Sequence, residues 1–152
     1  MQFSNFIIAL LVSYLGLYCG IFLAKIAKEE IKPGRIYFVY LQNIILIIIF
    51  IVIFHALNLH PIINTLLAIF LAVFLFYFET EMFTYLIYIP LGILAAIIAR
   101  LIMPYLGIML LLIFIYGMPT GTLLAGKKKY FVPLLYTLSY IPAAILTYLL
   151  LP

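Results

Sequence analysis

The chain has 152 residues, of which 70% are hydrophobic and only 8% are charged, and its mean hydropathy is +1.40. This composition excludes an ordinary soluble domain and favours an integral membrane protein. Attraction of basic loops to anionic lipid accounts for the net charge of +4, so no nucleic-acid partner is predicted.

The apolar runs predict an all-α fold, a polytopic membrane bundle of about six transmembrane helices. A bilayer core about 30 Å thick needs roughly 20 apolar residues for each helical span, and the breaks between the runs divide the chain accordingly. The predicted spans cover residues 3–27, 36–57, 61–78, 82–102, 105–125 and 130–151. Because few residues are left for loops, residues 1–152 are predicted to form a single integral-membrane domain with no soluble domain.

The basic residues predict the orientation of the bundle in the cell membrane. Seven of the eight lie in two loops that alternating spans would place on one side: Lys25, Lys28, Lys32, Arg35, Lys127, Lys128 and Lys129. Cytoplasmic loops retain positive charge, so both termini are predicted to be extracytoplasmic, with Arg100 on their side and the lysine triplet at the lipid headgroups. The first apolar run follows no basic residue and precedes no small-residue cleavage site, which predicts a retained span rather than a signal peptide.

Small residues recur at four-residue spacing in the first and fifth spans, in GLYCGIFLA (16–24) and GMPTGTLLA (117–125). Residues at this spacing lie along one ridge of a helix, and small ones let another backbone approach closely in lipid. The residues predicted to pack helices together are Gly16, Gly20, Ala24, Gly117, Gly121 and Ala125. The next spans open with YFVYL at Tyr37 and YFVPL at Tyr130, which indicates a helical hairpin present twice in the same direction.

Pro119 predicts a break in the fifth span, because it has no N–H and its ring conflicts with the carbonyl of Ile115. A freed carbonyl in lipid must be satisfied by neighbouring helices, hydroxyls or water. Secondary transporters bind substrates and ions at broken helices near the midplane. The predicted substrate or ion pathway is therefore Gly117, Pro119, Thr120, Gly121 and Thr122. The alternative is that this segment serves helix packing alone.

The stretch RLIMPYLGIMLLLIFIYGMPTGTLLAGKKKY, residues 100–130, resembles the late segment of the auxin efflux carriers and, more distantly, of the bile-acid/sodium symporter-like transporters. In that segment an arginine-containing helix end precedes a broken helix with a methionine-proline-small pattern. A weaker similarity covers residues 15–41, where a turn with Glu29 and Glu30 follows a glycine-bearing span. The resemblance implies that Pro119, Thr120 and Gly121 lie near a substrate site.

The chain also departs from that family. Its members have about ten spans in two inverted halves, whereas about six are predicted here. The asparagine usual after the proline motif is missing, and the resemblance covers about a third of the chain.

The remaining polar residues indicate no catalytic, metal or cofactor site. Glu79 and Glu81 are predicted to be either solvated partners of the basic loops or carboxylates that couple transport to an ion. His55 and His60 are five residues apart and off one helical face, and Cys19 is the single cysteine, so no metal site is predicted. Without an aspartate, a phosphate-binding loop or a nucleophile close to a base, the chain is not predicted to be an enzyme.

The sequence therefore predicts a small multi-pass membrane protein, a secondary transporter or permease for a small solute or ion. A homo-oligomer is expected, because one unit of about six spans offers little room to enclose a solute path. The alternative is a non-transporting membrane scaffold or accessory subunit whose small-residue ridges dock a partner membrane protein.

Overall fold

A computed structural model of the chain describes residues 3–77, 86–125 and 131–151. The described residues are all-α, as the apolar runs predict. The helices are α1 (Phe3–Ile26), α2 (Lys28–Ala56), α3 (Pro61–Tyr77), α4 (Tyr88–Leu101), α5 (Met103–Ala125), α6 (Phe131–Leu138) and α7 (Tyr140–Leu150).

Three stretches of helix are long and apolar enough to cross a bilayer. They are Phe3–Ile26, Pro33–Ala56 and Met103–Ala125. The shorter apolar helices Pro61–Leu75, Tyr88–Leu101 and Tyr140–Leu150 have 10–17 residues, fewer than the roughly 20 that a perpendicular span needs. The composition and these three helices are those of a membrane-embedded helical protein.

Helix α2 begins eight residues before the predicted second span. Ala27 alone separates α1 from α2, and Pro33 lies inside α2 as its sixth residue. Lysine and glutamate favour helix, and the carbonyl that loses its partner to Pro33 is near the helix start, where water can reach it. The basic stretch predicted to be a loop is therefore the first part of α2.

The predicted sixth span consists of two helices, α6 and α7, with Ser139 between them. Pro142, the third residue of α7, has no N–H to donate to the Leu138 carbonyl at the end of α6. The interruption thus coincides with a missing helical hydrogen bond. Predicted span four is described only from residue 86 onward, where α4 starts at Tyr88.

Helices α1 and α5 run parallel and form the most extensive contact between described helices. Gly16 lies against Phe114, and one turn later Gly20 lies against Met118. Helix α2 packs on the same α5 in the opposite direction, since Gln42 lies beside Tyr116 and His55 lies beside Tyr105. Helix α3 packs mainly on α2.

Helices α4 and α7 form a second parallel pair. Gly92 of α4 lies against the backbone of Tyr140 and Ala144, and Arg100 reaches Tyr148 two turns further on. Helix α7 is antiparallel to α1, since Ser13 of α1 meets Tyr140. The core is thus built from two parallel pairs, α1 with α5 and α4 with α7, that run in opposite directions.

One end of the bundle joins the start of α1 to the ends of α4 and α7. The Arg100 guanidinium donates to the Tyr148 carbonyl from Nε and Nη2, over 3.2 and 3.0 Å, and lies 4.2 Å from the centroid of the Tyr148 ring. The ring of Phe6 stacks on Tyr148 at 4.5 Å between centroids. A cation at carbonyls near a helix C-terminus is favourable, so Arg100 stabilises the end of α7.

The contact between α1 and α5 can be tested with two alanine substitutions in one helix. Gly121→Ala would place a Cβ against the Leu17 carbonyl oxygen and 2.9 Å from the Ile21 nitrogen. We expect it to lower the free energy of unfolding by about 1–3 kcal/mol, measured by circular dichroism during denaturation in detergent.

Gly107→Ala is the matched control, because a Cβ there meets nothing within 4 Å. Alanine favours helix over glycine by about 1 kcal/mol, so this variant should be as stable as the original or more so. Equal stabilities of the two variants would contradict a close approach at Gly121.

Candidate functional site

The predicted pathway residues are buried inside the chain. The buried residues of α5 include Gly117, Pro119, Thr120, Gly121 and Thr122, and the two threonine side chains are 0% and 2% exposed. This segment lies where α5 meets α1, so its surroundings are the backbone of another helix.

The six small residues of the two predicted ridges lie on α1 and α5, and the four glycines are at the contact. A Cβ built on Gly117 would lie 2.6 Å from the Leu17 nitrogen, and one built on Gly121 would lie 3.0 Å from the Gly20 Cα. Ala24 is buried and Ala125 is half-buried. The ridges of α1 and α5 therefore face each other within one chain.

The predicted break at Pro119 is not present, because α5 is helical from Met103 to Ala125. The Thr120 hydroxyl donates to the Tyr116 carbonyl over 2.8 Å, and the Thr122 hydroxyl donates to the Pro119 carbonyl over 2.7 Å. Both hydroxyls thus bond within their own helix. Close contact with α1 at Gly117 and Gly121 holds α5 on both sides of the proline, and a kink would open that contact.

Four buried tyrosines meet where the two parallel helix pairs converge. Tyr14 comes from α1, Tyr88 from α4, Tyr116 from α5 and Tyr140 from α7, and each is at most 4% exposed. The Tyr88 ring lies 6.5 Å from Tyr14, 5.6 Å from Tyr116 and 6.2 Å from Tyr140 between centroids. We call these residues the tyrosine cluster.

Hydrogen bonds tie three of the four tyrosines to polar side chains on other helices. The Tyr140 hydroxyl is 2.9 Å from the Ser13 hydroxyl, and the Tyr14 hydroxyl is 3.2 Å from that of Thr137. The Gln42 amide nitrogen donates to the Tyr116 hydroxyl over 3.0 Å. These bonds join α1, α2, α5, α6 and α7 through side chains that carry no charge.

Tyr88 differs from the other three tyrosines. Its hydroxyl is buried and forms no well-aligned hydrogen bond with the described residues. The Thr120 side chain is its nearest polar neighbour. The Thr120 hydroxyl donates to the Tyr116 carbonyl, so its oxygen can still accept a hydrogen bond from Tyr88.

The sequence reasoning missed the tyrosine cluster, although a repeated motif pointed to part of it. Tyr88 begins YIPLGILAA and Tyr140 begins YIPAAILTY. The two matching segments are the parallel helices α4 and α7, and each tyrosine is the first residue of its helix. The proline two residues later has no N–H to donate to the preceding turn, which explains why both helices begin at this point.

Five of the predicted site residues lie outside the described residues. They are Glu79, Glu81, Lys127, Lys128 and Lys129. Within the described ranges, no group of three or more histidine, cysteine or acidic residues is placed to hold a metal ion. The tyrosine cluster offers hydroxyl groups, and Gln42 beside it offers an amide; such groups bind uncharged polar groups by hydrogen bonds.

Comparison of the chain with protein-family models, with curated proteins and with solved structures finds no match. The similarity of residues 100–130 to the auxin efflux carriers therefore stays a prediction. Function must be argued from the site itself.

The hydrogen bond between Ser13 and Tyr140 can be measured with a double-mutant cycle. The loss of unfolding free energy in the double variant Ser13→Ala, Tyr140→Phe should be smaller than the sum of the losses in the two single variants. The expected difference, the coupling energy, is about 0.5–1.5 kcal/mol, the range for polar contacts between helices in membranes. Reversible unfolding in detergent micelles gives the four free energies.

The control cycle pairs Ser13→Ala with Tyr37→Phe, because Tyr37 is 74% exposed on α2. That pair should be additive. Zero coupling between Ser13 and Tyr140 would show that the cluster is not joined by this bond.

Proposed function

We propose that the chain is a multi-pass protein of the cell membrane that crosses the bilayer six times, with both termini outside the cytoplasm. The directions of the helices support this threading, because α1 and α5 run opposite to α2, α4 and α7. The distribution of lysine and arginine supports it independently. Local bilayer thinning and snorkelling of flanking residues accommodate the shorter helices.

Within that membrane protein we propose a permease for a small uncharged polar solute. The observation that carries this proposal is the tyrosine cluster, which gathers hydroxyl and amide groups at the centre of a bundle otherwise filled by apolar side chains. Because the cluster carries no charge, a neutral solute fits it better than an ion does.

The proposed path passes the tyrosine cluster instead of a break at Pro119. Thr120, one of the predicted pathway residues, lies beside Tyr88. It is therefore a pathway residue that borders the tyrosine cluster. The glycines on either side of Pro119 are covered by the backbone of α1. Gly117 and Gly121 thus serve packing, while Thr120 serves the solute.

We propose that the permease works as a homo-oligomer. A single chain of this size leaves little room around the cluster, since four of the core helices already meet there. The outer face of α3 supports association, because Ile62, Leu66, Phe70 and Val73 are 62–69% exposed and α3 packs mainly on α2. Lipid or a further copy of the chain covers this face.

Flux into liposomes tests the permease. We expect reconstituted protein to speed the entry of at least one small neutral solute, and Thr120→Val to slow it about threefold to tenfold, as the loss of one hydrogen bond near 1 kcal/mol would. Stopped-flow light scattering across a panel of polyols, amides and sugars measures the rates.

The matched control is Thr65→Val, because Thr65 is exposed on α3 and its hydroxyl donates to the Pro61 carbonyl within that helix. This variant should transport like the original protein. Absence of flux for every solute in the panel would end the permease proposal.

The second candidate is a non-transporting accessory subunit, and the exposed face of α3 is the observation that favours it. The small-residue ridges of α1 and α5 are occupied by each other, so a partner protein would dock on α3 instead. This candidate predicts that a distinct membrane protein co-purifies in stoichiometric amount from native membranes. Native mass spectrometry that shows only copies of this chain would contradict it.

A further inference from the structure

We propose that Asn43 of α2 lies at an interface between two copies of this chain, where its side-chain amide pairs with the same amide of the second copy. The two amides meet across a twofold axis that runs along the membrane normal. This inference rests on the proposed homo-oligomer, because it names the residue and the helix face through which two copies associate. It does not depend on whether the assembly transports a solute.

Asn43 lies deep in the apolar part of α2. The stretch of α2 that is long enough to cross a bilayer runs from Pro33 to Ala56. Asn43 is ten residues after its start and thirteen before its end, which is about 15 and 20 Å along the helix at 1.5 Å per residue. In a bilayer core about 30 Å thick, this side chain is far from the water on either side.

The amide of Asn43 is not used inside the chain. Asn43 is half-buried, and its side chain forms no hydrogen bond in residues 3–77, 86–125 and 131–151. Its neighbour Gln42 is 3% exposed and donates to Tyr116 of α5. Successive residues point about 100° apart around a helix, so Asn43 points to a different side of α2, with part of its surface open to the bilayer.

An amide without a partner is costly in hydrocarbon, where no water can bond to it. Asparagine side chains in membranes form hydrogen bonds across helices and so favour helix association. Gln42 meets this need within the chain, and Asn43 at the same depth meets it only with a group from outside the chain. The position of the amide therefore indicates a partner helix on this side of α2.

A second copy of the chain fits this position best. An asparagine amide both donates and accepts hydrogen bonds, so it is complementary to itself. Copies that are inserted in the same orientation and related by a twofold axis along the membrane normal present Asn43 at the same depth. Ile36 and Ile44 beside it are 60% and 49% exposed, and such uncharged side chains pack against their own copies without repulsion.

The dissociation constant of the assembly in liposomes tests the interface. We expect fluorescently labelled protein to bleach in two steps at high protein density and in one step after dilution with lipid. Asn43→Leu removes the amide at nearly constant volume. It should raise the dissociation constant about fivefold to thirtyfold, as the loss of a hydrogen bond between membrane helices would. Asn43→Gln keeps an amide and should stay closer to the original protein.

The matched control is Asn5→Leu, because Asn5 is exposed near the start of α1, where water reaches it. This variant should associate like the original protein. Because Asn43 forms no bond within the described chain, Asn43→Leu should also leave the melting temperature of the diluted monomer unchanged. A dissociation constant that is the same in Asn43→Leu as in the original protein would overturn the interface.

Disulfide formation tests which face of α2 is at the interface. Ile36 lies two turns before Asn43 on the same face of the helix. In a Cys19→Ser background, Ile36→Cys should give a covalent dimer on mild oxidation in membranes. Phe22→Cys, on α1 and 64% exposed, should not. A covalent dimer from Phe22→Cys alone would place the interface elsewhere and contradict the proposal.

Flux into the same liposomes separates this inference from the permease. Association that is weakened in Asn43→Leu, with no flux of any solute through the original protein, supports the interface and overturns the permease. A dimer that survives Asn43→Leu unchanged, with flux present, overturns the interface and leaves the permease standing. A protein that bleaches in one step at every density overturns both the interface and the homo-oligomer.

Discussion

The approach of the α1 backbone to the α5 backbone is the contact on which the rest of the bundle depends. In lipid there is little hydrophobic drive between helices, so association relies on close van der Waals packing. Four glycines provide it here, and a methyl group on Gly16 or Gly20 would overlap a carbonyl oxygen of α5. Helices α2 and α4 run opposite to this pair, and the parallel pair of α4 with α7 completes the core.

Proline accompanies two different outcomes along this chain. Pro142 follows an interruption at Ser139, between the short helices α6 and α7. Pro119 lies between Gly117 and Gly121, both in contact with α1, and its helix continues. A missing N–H therefore coincides with an interruption near Pro142 and with a continuous helix at Pro119. The local effect of proline alone does not predict which of the two outcomes occurs.

Features that depend on one helix at a time were predictable from the sequence. The apolar runs predicted the all-α class, and the bounds predicted for the first, third and fifth segments lie within two residues of α1, α3 and α5. The extension of α2 to Lys28 was not predicted, because charged residues had been assigned to a loop although they favour helix. A break was predicted at Pro119, where α5 is continuous, and the sixth span was predicted as one helix although Ser139 interrupts it.

The tyrosine cluster could not be predicted from single helices, because its hydrogen bonds join distant parts of the chain. Ser13 and Tyr140 are 127 residues apart, and nothing in the periodicity of either helix names the other as its partner. The repeated Tyr-Ile-Pro motif did carry a signal, since it marks two equivalent helix starts. That signal predicts similarity between α4 and α7, but the position of both tyrosines at the centre depends on how this pair packs against α1 and α5.

Tyrosine suits the centre of such a short membrane protein for a physical reason. Its ring fills the core as an apolar group would, while its single hydroxyl provides a polar contact without a charge. A carboxylate or an ammonium group at this depth would need a partner of opposite charge or a water-filled cavity. A chain with four acidic residues in all, and none in the described cluster, avoids that cost. The described core therefore forms its polar contacts between uncharged hydroxyl and amide groups of different helices.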